Sequence, residues 1–263
     1  MPNLEEWIGF QSVLKKEILR FWKVKSQTVF SPMINAALYL VVFGLSLSNV
    51  VPPQNGFSYT EFLIPGLAAM AALNNALQNS ASSIMISKFH GDLQDLRIVP
   101  LSHNLIALAY VIACIVRGVI VAAAVLFLGE LVVFLKEGHW MAIAHPQGFI
   151  LFLCLGCAIF GNLGIWIGFI SRTFDHIAAF TNFIILPLIY LGGVFFSLKI
   201  LHPTWQTVAT FNPLVYIING IRWSLLGASD VSAPLCALVS VLFVAITGAL
   251  AWYSVKYGSY QRF

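Results

Sequence analysis

The sequence predicts an all-α membrane protein with six transmembrane helices, an N-terminal amphipathic helix in the membrane interface and a re-entrant extracellular hairpin before the last span. Three observations predict it. Charged residues are 9% of the 263 and hydrophobic residues 59%, where soluble domains carry about 25% and roughly 45–50%. Runs without Asp, Glu, Lys or Arg fill 26–60, 62–87, 98–116, 138–171, 176–198 and 231–255, and about 20 apolar helical residues cross a hydrocarbon core of roughly 30 Å. The cations between those runs fall mostly on one side of the layer they would cross.

Taken in order, residues 4–25 form the first element. Trp7, Phe10, Leu14, Ile18 and Phe21 recur at spacings of three and four, with Lys15, Lys16, Arg20 and Lys23 mostly off that stripe. A basic amphipathic helix with aromatics is expected in the inner membrane interface. It is too charged for a cleavable signal peptide, and the apolar run that follows has no small-residue cleavage site behind it. The expected organisation is a connector helix over 1–27, a transmembrane domain over 28–258 and a cytoplasmic tail over 259–263.

The spans are expected at about 28–48, 61–86, 104–128, 149–170, 177–198 and 234–256. Pro52-Pro53 and Asn55-Gly56 separate the first two, Gly91 and Pro100 the next pair, and Gly138 and Pro146 the third from the fourth. The stretch 199–227 is apolar but broken by Pro203, Pro213 and Gly220, with Gly227 at its end. Its pieces are too short to cross a bilayer, which suits a re-entrant or interfacial hairpin carrying Asn212, Pro213, Tyr216 and Arg222.

Counting Lys and Arg sets the orientation. With a cytoplasmic N-terminus, Lys15, Lys16, Arg20, Lys23, Lys25, Lys88, Arg97, Arg172, Lys256 and Arg262 lie inside, and only Lys136, Lys199 and Arg222 outside. Both termini are therefore expected in the cytoplasm. The net charge of +4 belongs to this topology, and nothing in it points to nucleic acid.

Catalytic patterns are missing. No glycine precedes a lysine, so no GxxxxGK[ST] phosphate loop is present. HExxH, GxSxG and a Cys/His metal cluster are also absent, and six histidines are scattered. Asp175-His176 is the one adjacent acid–His pair, and sequence neighbours on a helix do not face each other. Cys114, Cys154, Cys157 and Cys236 all sit in apolar runs and read as small hydrophobes without a disulfide framework. No cofactor is expected on this chain.

Within the spans, Arg117 is the one charge near a centre. It either pairs with a polar side chain of another helix or binds an anionic substrate. Asn75, Gln78, Asn79, Ser82 and Ser83 project from one face of the second span, with Asn74 beside them. Such a stripe either lines a pathway or hydrogen-bonds to neighbouring helices. Gly164 and Gly168 form GxxxG, which permits close helix contact, and Pro187 before Gly192-Gly193 should kink or loosen the fifth span.

The connection after the second span reads Lys88-Phe-His-Gly-Asp-Leu-Gln-Asp-Leu-Arg-Ile-Val-Pro-Leu-Ser102. On a short helix, Leu93 and Leu96 form an apolar edge and Gly91, Asp92, Asp95 and Arg97 a polar one, with Pro100 ending it. An exposed helix of this kind suits insertion into a groove on a motor subunit.

Here the chain resembles the type-2 ABC exporter permeases. Asp95-Leu-Arg-Ile-Val-Pro-Leu-Ser102 is similar to that family's loop after the second span. Leu191-Gly-Gly-Val-Phe-Phe-Ser197, His202-Pro-Thr-Trp205, Phe211-Asn-Pro-Leu-Val-Tyr216 and Arg222-Trp-Ser-Leu-Leu-Gly227 are similar to its extracellular hairpin. The resemblance covers about 5–258 and lies nearest the small bacterial inner-membrane permeases of the nodulation- and drug-export-like group. It implies a homodimer of this permease docked on two copies of a separate ABC ATPase, which uses ATP and Mg, with the first and fifth spans between protomers. It maps the coupling helix onto about 88–99. The expected function is export of an amphipathic or hydrophobic, drug-like or lipid-like substrate. Export of a lipid-linked glycan or polysaccharide is the alternative within the family. A scaffold subunit without transport is the alternative outside it, and an intramembrane enzyme is disfavoured for want of a convergent acid, base and nucleophile.

Overall fold

A computed structural model describes residues 4–48, 50–94, 101–258 and 260. Helix α1 spans Leu4–Lys23 and is followed after one residue by α2, Lys25–Leu45. The last turn and a half of α2, Leu40–Leu45, is wound as a π-helix. Then come α3 (Tyr59–His90), α4 (His103–Glu137), α5 (Pro146–Ile170) and α6 (Phe174–Leu191). Two short helices, α7 (Pro203–Thr210) and α8 (Pro213–Leu226), precede α9 (Ala233–Tyr257).

Starts and stops follow local chemistry. Ser58 caps α3 in a reciprocal box with Glu61, each side chain taking the other residue's backbone N–H. Prolines open α5, α7 and α8 at positions whose N–H would have no helical acceptor. In α6 the π-wound stretch Thr181–Ile185 lies just before Pro187, which removes one helical donor and perturbs the regular ladder.

Five helices, α2, α4, α5, α6 and α9, are long and apolar enough to cross a membrane. Helix α3 is longer than such a crossing needs, 32 residues or about 48 Å. Its Asn, Gln and Ser residues leave it less oily than those five. It compensates by being the most enclosed of the long helices, packed between α4 and α5 and buried along most of its length.

Small residues make that enclosure possible. A β-carbon on Gly164 would stand 2.4 Å from the Leu77 carbonyl oxygen, and one on Gly168 would meet Ile84 at 3.0 Å. On α4, a β-carbon at Gly118 would lie 2.3 Å from the Cys157 sulfur of α5. The three helices therefore pack at backbone-to-backbone range, where van der Waals contact is the main cohesive force available in lipid. Helix α1 packs along α4, α9 against α5, and α8 against both α5 and α9.

Two helix ends fall short of the sequence expectation. The fifth hydrophobic segment, expected over 177–198, is helical only to Leu191, because Gly192 and Gly193 turn the chain. The connector expected over 1–27 ends at Lys23, and Lys25 already belongs to α2. The stretch 199–227 holds two helices of 8 and 14 residues, divided at Phe211-Asn212, where Asn212 Oδ1 accepts the Leu214 N–H at 3.0 Å.

Candidate functional site

The polar stripe of α3 is the centre of the molecule, and it is turned toward charges on two other helices. Arg117 of α4 reaches across, Nη1 donating to Asn79 Oδ1 and Nη2 to Asn75 Oδ1, each at 3.0 Å. Arg20 of α1 arrives from the other side. Its Nη2 donates to the Asn79 backbone carbonyl and to Asn79 Oδ1, both at 2.8 Å, and its Nη1 lies 3.4 Å from Ser82 Oγ. Asn79 is fully buried and shared by both guanidinium groups.

A carboxylate completes the cluster. Glu17 is buried on the packed face of α1, accepting from Ser83 Oγ at 2.7 Å and from Arg20 at 3.2 and 3.3 Å. Burying a charge is tolerated when it is both paired and hydrogen-bonded, and Glu17 is both. Beside it, Ser80 Oγ and Cys114 Sγ stand 2.7 Å apart, and Asn79 Nδ2 donates to the same sulfur. The result ties α1, α3 and α4 together through charge-assisted hydrogen bonds.

Sequence patterning alone passes over Glu17. The available signal is its place on the α1 stripe, four residues before Phe21 and seven after Phe10, both of which are buried with it. The expectation that this helix belongs to the membrane interface rests on its apolar stripe and its cations, and takes no account of Glu17. Trp7, on the same stripe, is 48% exposed.

Of the other stripe residues, Gln78 Nε2 lies 3.5 Å from Thr181 Oγ1 of α6, a long contact. Asn75 also lines a small cleft between α2 and α3 with Asn35, Tyr39, Met70 and Asn74. The Asn74 Oδ1 atom is buried there without a hydrogen-bond partner among the described residues.

At the other end of α3, the proposed coupling residues divide. Lys88 is 1% exposed, and its ammonium donates to the carbonyls of Gly168, Phe169 and Ser171 at the C-terminus of α5. A cation on the last carbonyls of a helix satisfies acceptors that have no helical donor and opposes the helix dipole. Gly91 follows α3 with a left-handed φ of 86°, and Asp92 is exposed. Leu93 does not form the exposed apolar edge expected of it. It is 1% exposed and belongs to an internal cluster with Ile84, Ile106, Tyr110 and Phe169. Asp95, Leu96 and Arg97 lie outside the described residues.

In the 199–227 region, Arg222 of α8 is fully buried. Its guanidinium carbon lies 3.8 Å from the centre of the Phe62 ring, and Nη2 donates to the Gly193 carbonyl at 2.8 Å. It thereby joins α8, α3 and the turn after α6. Asn212 Nδ2 donates to the Leu188 carbonyl at 2.6 Å, and the Tyr216 hydroxyl to that of Thr210 at 2.9 Å. Pro213 opens α8. The nearby Asp230 side chain accepts from Ser197 Oγ at 2.7 Å, the Leu198 N–H at 2.8 Å and Asn55 Nδ2 at 3.1 Å.

Oily helices around a buried polar centre, in a chain similar to an inner membrane transport permease, define a multi-pass inner-membrane transport permease. The chain belongs to the ABC-2 type transporter family, whose model matches residues 9–226. It is 35% identical over 256 residues to the inner membrane transport permease YadH of Escherichia coli K12, covering 97% of this chain and 96% of that protein. It is also 23% identical over 245 residues to nodulation protein J of Rhizobium leguminosarum bv. viciae, covering 91% and 90%. A second nodulation protein J, from Azorhizobium caulinodans, is 25% identical over 250 residues, covering 92% and 93%. Family membership implies association with an ABC ATPase.

Proposed function

We propose that this chain is the membrane half of an ATP-driven exporter. Six helices cross the bilayer: α3 joins the five apolar ones, and α7–α8 form a re-entrant hairpin on the outer side. Both termini are cytoplasmic. Two copies form the pathway, two copies of a separate ATPase use ATP and Mg, and the substrate is amphipathic or hydrophobic, drug-like or lipid-like. Asn74 and Asn75 face the α2–α3 cleft, which supports a pathway beside α3; Asn75 and Asn79 also bind Arg117, Asn79 and Ser82 contact Arg20, and Ser83 contacts Glu17.

The observation that carries the reading is the position of Lys88. The proposed coupling segment, 88–99, begins at the residue that fastens α3 to the end of α5. A push on that segment passes into two helices packed with almost no slack between them. Nine residues further back, about 13.5 Å along the helix, α3 carries Asn79, which holds α1 and α4. An ATPase acting at one end of α3 would thus move the shared polar centre.

The pairing surface is supported by α2 and α6. Tyr39 and Tyr190 place their hydroxyls 3.3 Å apart, so a side-chain contact links the two helices. Phe30, Ile34 and Leu38 on α2 and Phe183 on α6 remain exposed. A second copy or lipid would cover them.

The test is capture of the ATPase. Because Leu93 is internal, its replacement by Asp would damage the fold rather than probe docking. Asp92→Lys combined with Leu96→Asp is the informative variant. It should insert and dimerise as the parent does, yet neither retain the ATPase in a pull-down nor export. Retention at the parent level would remove segment 88–99 from the coupling interface.

A further inference from the structure

At the end of the bundle opposite Lys88, three potential metal ligands converge from two helices. Glu61 sits in the first turn of α3, Glu137 is the last residue of α4, and His139 lies two residues beyond it. Their ligand atoms all lie within 4.8 Å of one another. His139 Nε2 is 3.1 Å from Glu61 Oε1 and 3.9 Å from Glu137 Oε2.

We propose that Glu61, Glu137 and His139 form a binding site for a divalent transition-metal cation, with Zn²⁺ the best match, that clasps the ends of α3 and α4. Bonds of about 2.0–2.1 Å in a tetrahedral shell separate neighbouring donors by roughly 3.4 Å. The two separations from His139 bracket that value and all three ligand atoms lie within 4.8 Å of one another, so side-chain movements alone can close them on a cation. One imidazole and two carboxylates are a nitrogen and oxygen set of the kind Zn²⁺ accepts. With three protein ligands, the fourth position is left to water.

The surroundings hold these groups in place. Gly138 has a left-handed φ of 77°, a conformation in which a side chain is strained. That turn directs the chain back so that His139 faces Glu61. Trp140 stacks on Phe134 with ring centres 4.6 Å apart, and the Met141 N–H donates to Glu130 at 3.1 Å, fixing the turn on both sides of its tip. Glu61 is oriented by its second oxygen, which accepts the Ser58 N–H at 2.9 Å in the capping box. Hydrogen bonds of this kind to the outer side of a ligand orient it toward its metal.

Charge also favours a cation. Lys136, the cation next to Glu137 in sequence, donates to Thr60 Oγ1 at 2.9 Å, and its next nearest acceptor is the Gly44 carbonyl at 3.5 Å. Among the described residues, the two carboxylates are left with one half-exposed imidazole between them, and that imidazole is itself a ligand. The site is new relative to the transport reading and does not depend on it.

Zinc titration of tag-free permease in detergent, stripped with chelator, tests the proposal. The parent should bind one Zn²⁺ per chain and melt at a higher temperature with the ion present. His139→Ala and Glu137→Gln should each weaken binding roughly tenfold or more and lose the zinc-dependent rise in melting temperature. Glu61 is left intact because it caps α3. His103→Ala, an exposed histidine at the other end of α4, should bind as the parent does. Failure of the parent to bind micromolar Zn²⁺, or equal binding by His139→Ala and the parent, would overturn the site. So would a melting temperature that His139→Ala lowers equally with and without zinc, which marks a plain ion pair.

Discussion

Glu17 of α1 accepts a 2.7 Å hydrogen bond from Ser83 of α3, across 66 positions of sequence. This contact makes the N-terminal helix part of the bundle rather than an appendage to it. The carboxylate is fully buried, whereas its partner Arg20 retains a quarter of its exposure.

Truncating Glu17 should therefore loosen α1. Breaking a buried ion pair costs about 3–5 kcal/mol when the remaining charge stays buried. Arg20 can turn partly to water, so Glu17→Ala is expected to cost about 1–3 kcal/mol. Glu17→Gln keeps one acceptor and should cost less. Thermal melts and limited proteolysis of residues 4–23 measure this, and parent-like behaviour of both variants would show that the contact does not anchor α1.

The helix contacts predict a contrast between two glycines. Gly164→Ala forces a β-carbon to 2.4 Å from the Leu77 carbonyl oxygen, so α5 must move away from α3. Overpacking of this kind costs about 1–3 kcal/mol. Gly248→Ala meets only Asn162 Nδ2 at 3.7 Å and should be neutral or stabilising, by up to about 1 kcal/mol of helix propensity. Melting temperatures in the reverse order would mean that the α3–α5 packing is wrong.

The proposed topology is checked by single cysteines on a cysteine-free background. Gln94 and Pro53 are exposed and lie near opposite ends of α3, whereas Ser87 and Gln54 are buried and would label poorly. Gln94→Cys should react only from the cytoplasmic side and Pro53→Cys only from the outside. Reaction of both from one side would sink the six-span arrangement.

Asp230 predicts acid sensitivity of the α6–α9 connection. Burial raises its pKa, but hydrogen bonds from Ser197, Asn55 and the Leu198 N–H outweigh burial and hold it below the ordinary carboxyl value of 3.8. A carboxyl depressed in the folded state contributes stability that is complete above its unfolded value and is lost as pH falls through its folded value. Melting curves from neutral to about pH 3 should show that loss in the parent and a smaller one in Asp230→Asn, which should be less stable at neutral pH. Parallel curves for the two proteins would remove Asp230 from the acid response.

Much of the helical layout is legible in the order of residues alone. Long neutral runs separated by Pro and Gly predict helices whether the neighbours are lipid or protein, and Pro213 starts α8 because it cannot continue α7. The fifth hydrophobic segment outruns its helix because Val194, Phe195 and Phe196 are as apolar as a span, while the Gly192-Gly193 turn ahead of them carries no hydropathy signal. The polar stripe on α3 is visible as a pattern. Its partners are not, since a row of Asn and Ser suits a pathway and a helix contact equally well.

The sequence by itself determined the helices, the absence of a phosphate loop and the family resemblance, because each depends on residues near one another in the chain. Only the tertiary structure decided what the charged residues do. Lys88 has the sequence context of an exposed coupling segment, yet it caps α5 some 80 positions later. Leu93 has the pattern of a docking edge and is internal. Arg117 meets Asn75 and Asn79, and Glu17 meets Ser83, because α4 and α1 pack beside α3 and bring those charges within reach of its polar stripe. A buried charge must be satisfied by whatever the fold brings within hydrogen-bonding distance, and that distance is set by helix packing rather than by sequence spacing.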